Sequence, residues 1–136
     1  MEINQLIKDA HDNAVSKGFH RDYNMLVNSI KEMVNPENVK QMDRLLQYVK
    51  LTEINKDINL IVTELSEASE HIRKRSLLTS SEKKYWKESF EEEIADAVIR
   101  IADLCGQYNI DLEYFIREKM EYNKTRQPMH GKLVWI

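Results

Sequence analysis

The sequence predicts an all-α fold, an antiparallel helical bundle, on three observations. Glycine and proline are scarce, three and two among 136 residues, whereas charged residues make up 32% of the chain. That composition suits long uninterrupted helices, since a β-rich fold needs many more turn residues. Apolar residues recur at helical spacing, most clearly at Ile54, Ile58, Ile61, Leu65, Ala68 and Ile72, where steps of four and three mark one helix face. The connection that follows, SLLTSS, is short, and a short link makes consecutive helices antiparallel neighbours.

The first expected helix covers residues 2–17 and stops at Gly18. A second covers 21–34 and is closed by Asn35-Pro36, because proline cannot continue a helix. A third covers about 37–51, with Val39, Met42, Leu45, Leu46 and Val49 near helical spacing. These three read as packing helices. The segment from Ile54 forms a fourth and ends near Arg75, where basic residues suit a C-terminus.

Thr79 followed by Glu82 has the form of a capping box and predicts that the next helix opens there. That helix runs to about Tyr108 on a seam of Ile94, Ala97, Val98, Ile101, Leu104 and Cys105. Asp111 caps a last helix through about Lys124, with Leu112, Phe115, Ile116 and Met120 facing inward. Pro128 and Gly131 end regular structure before the tail HGKLVWI. We find no internal repeat and no low-complexity linker, and expect one domain over 1–136.

Several function classes are disfavoured at once. The formal charge of −3 gives no global reason to expect a nucleic-acid polymer as partner. No apolar run approaches the ~20 residues that span a membrane, and the first residues carry no leader pattern. Cys105 is the single cysteine, so an internal disulfide is impossible and a reducing, cytoplasmic setting is expected.

The chemistry is concentrated in two acidic stretches, TELSEASE and EEEIADAV. Glu64 and Glu67 are three apart and share one helix face, as do Glu93 and Asp96. Each acid directly precedes a seam residue, so all four should border the buried face. In an antiparallel hairpin, facing residues share a constant number sum. Glu64 with Asp96 and Glu67 with Glu93 share the sum 160, whose midpoint, Ser80, lies in the expected turn.

Flanking charges that face each other in a bundle are normally of opposite sign. Four carboxylates at one level repel and raise their own pKa values unless a cation neutralises them. Two readings stay open: the wet faces of ordinary helices, or a site for a hard divalent ion such as Mg²⁺ or Mn²⁺. A metal held only by acids commonly serves phosphate chemistry. Lys119, Asn123 and Arg126, at i, i+4 and i+7 on the last helix, offer phosphate donors, with Lys124 and His130 nearby. They read equally as a solvated helix end that suits the dipole.

INLIVTELSEASEHIRK, EEEIADAVIRIADL and KMEYNKTRQPMHGK, in that order, closely resemble the MazG-like branch of the all-α nucleoside triphosphate pyrophosphohydrolases. The resemblance covers about residues 57–132, and AVSKGF (residues 14–19) looks like the family's first-helix ending. It implies a MazG-like domain with a motif-bearing core at 53–132 and additional N-terminal helices within 1–50. It implies that Glu64, Glu67, Glu93 and Asp96 are metal-binding and catalytic, with Mg²⁺ as cofactor and Mn²⁺ as a substitute. The implied reaction is hydrolysis of an NTP or dNTP between the α and β phosphates, giving a monophosphate and pyrophosphate. Lys119, Asn123 and Arg126 match positions that contact phosphate in similar proteins.

Candidate base contacts are His11, Asn13, Phe19 and Trp86, although Phe19 and Trp86 also suit core or interface positions. Asp103 reads as a support for the site or as a partner of Arg100, and Glu70, out of register, should face water. Thin bundles of this kind leave apolar faces uncovered, so a homodimer or homotetramer is expected. The competing readings are a related dUTPase/dUDPase, a phosphoribosyl-ATP pyrophosphohydrolase, and a non-catalytic helical oligomerisation module.

Overall fold

The computed structural model describes residues 2–128; His130 and Gly131 lie outside them. Among the described residues the structure is all-helical, with α1 (Ile3–Ser16), α2 (Arg21–Glu32), α3 (Val39–Lys74), α4 (Phe90–Gln107) and α5 (Leu112–Thr125). A 3-10 segment, Ser80–Tyr85, lies between α3 and α4. No described helix is long and apolar enough to cross a membrane.

The stop after α1 is a left-handed glycine cap. Gly18 has φ of 81°, a conformation glycine adopts without a Cβ penalty. Its N–H donates to Val15 O and that of Phe19 to Ala14 O, which satisfies the last carbonyls of α1. After α2, Asn35 Oδ1 accepts from the N–H groups of Glu37 and Asn38, while Asn38 Nδ2 donates to Met33 O. These side chains build the turn at Pro36.

Two expected boundaries differ. The third and fourth helices are one, α3, of 36 residues. Leu51-Thr52-Glu53 contains no glycine, proline or capping geometry, so nothing interrupts the backbone ladder there. Conversely, Thr79 opens only the 3-10 segment, although Glu82 Oε1 does accept from Thr79 N–H at 3.0 Å. The chain breaks at Glu88, whose φ is 57°. α4 restarts at Ser89, whose Oγ accepts from Glu92 N–H at 3.1 Å and donates to Trp86 O. Asp111 caps α5 as expected, accepting from Tyr114 N–H at 3.1 Å.

α4 is the hub, with α3 and α1 packed on it, α2 on α3, and α5 on α1. The buried positions are mostly small: Ala10 and Ala14 of α1, Ala68 of α3, and Ala97, Ala102 and Cys105 of α4. Small side chains let helix backbones approach closely, so Glu64 and Glu93 sit on the buried line itself. The larger seam residues expected inside, Leu65, Ile94, Val98 and Ile101, are exposed in one chain, as are Phe115 and Met120 of α5. Of the seam read from the sequence, Ala68, Ala97 and Cys105 are buried, and the contact line also takes in Glu64 and Glu93, each one residue before an exposed seam residue.

Candidate metal centre

Glu64 and Glu67 rise one turn apart on α3, and Glu93 reaches them from α4. One carboxylate oxygen from each of the three lies within 4.8 Å of the others. Glu64 and Glu93 are buried and Glu67 is exposed, so the cluster opens to solvent on the Glu67 side. Asp96, one turn further along α4, stands outside this trio. It joins Glu64 instead in the wall of a cavity of about 200 Å³.

Two basic side chains touch the acids. Arg100 Nε donates to Glu64 Oε1 at 2.7 Å, and His71 Nε2 lies 3.3 Å from Glu93 Oε1. His71 was not singled out in the sequence, and Arg100 was named there only as a partner for Asp103. Their signal was available, because His71 follows Glu67 by four residues and Arg100 follows Asp96 by four, one turn along the same faces.

The electrostatics record crowding of like charge. Burial, followed by the neighbouring Glu64 and Glu67 carboxylates, pushes Glu93 up to about 7 from an ordinary 4.5. Asp96 is also raised, by burial first and then by the charges of Glu64 and Glu92. Carboxylate oxygens from two helices, partly withdrawn from water, are the donor set that a hard divalent cation selects. The residues present thus fit Mg²⁺ or Mn²⁺. A carboxylate held near 7 can also take or release a proton at neutral pH.

Asn13 and Phe19 line the same cavity as Glu64 and Asp96, together with Arg100 and Asp103. Trp86 does not; it is 51% exposed in the loop before α4, with Lys87 Nζ 4.9 Å from its ring centroid. His11 turns to Asp103, its Nδ1 lying 2.9 Å from Asp103 Oδ1. The expectation for Asp103 is thereby revised: it meets His11 and His20, while Arg100 goes to Glu64. Glu70 faces water and holds Arg73 at 2.7 Å, as its register implied.

Lys119, Asn123 and Arg126 do not line that cavity. Lys119 Nζ and the Arg126 guanidinium flank the Tyr122 ring, 4.8 and 5.6 Å from its centroid. Arg126 is the C-cap residue with extended backbone, and its N–H donates to Asn123 O. The helical stripe therefore holds for Lys119 and Asn123 and ends before Arg126. No protein-family model, curated protein or solved structure matches the chain.

Proposed function

We propose that this chain is a MazG-like, Mg²⁺-dependent pyrophosphohydrolase that converts a nucleoside or deoxynucleoside triphosphate to the monophosphate and pyrophosphate. The observation that carries the reading is the meeting of Glu64, Glu67 and Glu93 oxygens within 4.8 Å. Three carboxylates held together repel one another, and a divalent cation removes that repulsion. Bound there, Mg²⁺ or Mn²⁺ would neutralise charge on the triphosphate.

The chain's own groups have separable roles in this reading. Glu64, Glu67, Glu93 and Asp96 hold the ion. A carboxylate of this set that the ion leaves free accepts the proton of the attacking water as the new P–O bond forms and the α–β anhydride bond breaks. Asn13 and Phe19 stand in the wall of the cavity beside Glu64 and Asp96, where a base can be stacked and hydrogen-bonded. Trp86 is the remaining base candidate. Lys119, Asn123 and Arg126 supply cationic and amide donors to the phosphates.

An antiparallel pairing of α3 and α4 belongs to this reading. It is supported by the pairs Glu64–Arg100 and His71–Glu93, in which the number rises on one helix as it falls on the other. A homodimer or homotetramer is supported by the exposed Ile58, Leu65, Ile94, Val98 and Ile101, which form apolar surface of the kind an interface covers. The buried free Cys105 suits a cytoplasmic setting.

The test is a screen of canonical and modified NTPs and dNTPs with Mg²⁺, reading pyrophosphate. Release that stops with EDTA is expected. Release of free phosphate from a nucleoside diphosphate would replace this reading with a dUTPase-like one, and no turnover with any nucleotide would leave a helical interaction module.

A further inference from the structure

Away from the acidic trio, His11, His20 and Asp103 form a second cluster drawn from three elements: α1, the turn before α2, and α4. His11 Nδ1 lies 2.9 Å from Asp103 Oδ1, and His20 Nε2 lies 2.8 and 2.9 Å from the two Asp103 oxygens. We propose that His11, His20 and Asp103 constitute a second divalent-metal site, selective for a borderline ion such as Zn²⁺ or Co²⁺ over Mg²⁺.

The geometry fits coordination. Around a tetrahedral ion with bonds of about 2.1 Å, neighbouring donor atoms stand about 3.4 Å apart. The nitrogen–oxygen spacings of 2.8 and 2.9 Å are about half an ångström shorter, so an ion enters once the side chains part by that amount, each imidazole carrying its proton on its other nitrogen. Imidazole nitrogens with a carboxylate suit Zn²⁺ or Co²⁺, whereas Mg²⁺ prefers oxygen alone. The two clusters on this chain thus differ in the metal they select.

Asp57 of α3 stands outside the trio but near it: Asp57, Arg100 and Asp103 line one small cavity of about 30 Å³. Burial, then the charge of Glu53, raises the Asp57 carboxyl, while Lys56 and His20 lower it and Asp103 raises it, so Asp57 feels two of the three members of the cluster. The surroundings are built for close approach. His20 is 5% exposed, and a Cβ on Gly106 would stand 2.5 Å from His11 Cβ. Only glycine lets α1 and α4 meet closely enough for His11 to reach Asp103.

An ion here would fasten α1 and the turn after it to α4. That turn carries Phe19, and α1 carries Asn13, both in the wall of the cavity next to Glu64 and Asp96. The second metal would therefore hold the substrate wall while the acids hold the first.

The full chain, stripped with chelator, is titrated with Zn²⁺ and separately with Mg²⁺ while the histidine ring signals are followed by NMR. His11→Gln and His20→Gln assign the signals. One equivalent of Zn²⁺ should shift both His11 and His20 rings and raise Tm; Mg²⁺ should move neither ring. Zn²⁺ affinity should fall at least about 10-fold in Asp103→Asn and persist in Glu67→Gln. Zn²⁺ that leaves both rings unmoved in the wild-type chain overturns the proposal, a readout that does not depend on any variant folding. Loss of the ring shifts in Glu67→Gln would also overturn it, because the ion would then belong to the acidic trio.

Discussion

Arg100 Nε donates to Glu64 Oε1 at 2.7 Å, placing a guanidinium on one of the carboxylates of the trio. The pair spans α3 and α4 and is part-buried, with the Arg100 side chain 42% exposed and that of Glu64 11%. Arg100 neutralises Glu64 when no cation is bound and lies in the cavity wall where a phosphate would lie. Replacing it should therefore move two affinities in opposite directions. Arg100→Gln should tighten Mg²⁺ binding several-fold, since a competing positive charge is gone. It should raise KM for a triphosphate by roughly 10-fold, the loss expected of one charge-assisted hydrogen bond. Calorimetric Mg²⁺ titration and steady-state kinetics read the two effects separately. A change of both in one direction would mean that Arg100 acts only through the shape of the site.

Glu67 and Asp96 test the acidic site most cleanly. Glu67 is exposed and Asp96 is only partly buried, so neither holds the core together. Glu67→Ala and Asp96→Ala should each keep a helical spectrum and a Tm close to the parent. Each should lower pyrophosphate release on the order of 100-fold or more, as loss of a metal ligand does. Full activity in either purified variant would remove that residue from the site.

The acidic spacing was legible because a three-residue step on a helix is a geometric statement that needs no tertiary context. It brought Glu64, Glu67 and Glu93 together, and placed Asp96 on the shared cavity although not in the trio. What was misread is the width of the contact. The seam held at its small members, Ala68, Ala97 and Cys105, whereas Leu65, Ile94, Val98 and Ile101 are exposed, because the small residues allow a closer approach that carries the glutamates inward. The boundary at 51–54 was misread for a different reason: two apolar stripes were read as two helices although no breaker stands between them. The start of α4 was missed because Ser89 and Glu92 repeat the spacing of Thr79 and Glu82, and two capping signals competed. The His11–His20–Asp103 cluster joins residues 92 and 83 positions apart, beyond the reach of any local pattern.

Ser89 decides where α4 begins, and so the height at which Glu93 meets α3. Its side chain is almost fully buried, accepts from Glu92 N–H and donates to Trp86 O. Ser89→Ala removes the cap and leaves a carbonyl unsatisfied, a loss of about 1–2 kcal/mol. Ser89→Asp keeps an acceptor at the cap and should recover part of it. Urea unfolding followed by circular dichroism gives both values. An alanine variant as stable as the parent would mean that α4 is fixed by packing on α1 and α3 alone.

Glu93 should make the metal-free chain less stable as pH rises. Its carboxyl is raised from 4.5 to about 7 in the folded state, by burial first and then by Glu64 and Glu67. Below about 4.5 both folded and unfolded chains hold this proton, and its contribution is fully present. Between 4.5 and 7 the unfolded chain has lost the proton that the folded chain retains, so stability falls across that window and levels above it. Asp96, also raised, adds in the same direction. Carboxylates with lowered values, Glu82 and Glu92, act oppositely, so the contribution is read as the difference between the parent and Glu93→Gln. Denaturant unfolding at intervals from pH 4 to 8 in EDTA should show the parent losing ground against Glu93→Gln as pH rises. Excess Mg²⁺ at pH 8 should restore the parent and leave Glu93→Gln with a smaller gain, because the ion binds the ionised carboxylates and folding is linked to that binding. A parent and variant whose difference is flat with pH would mean that Glu93 ionises freely and that the trio is not crowded.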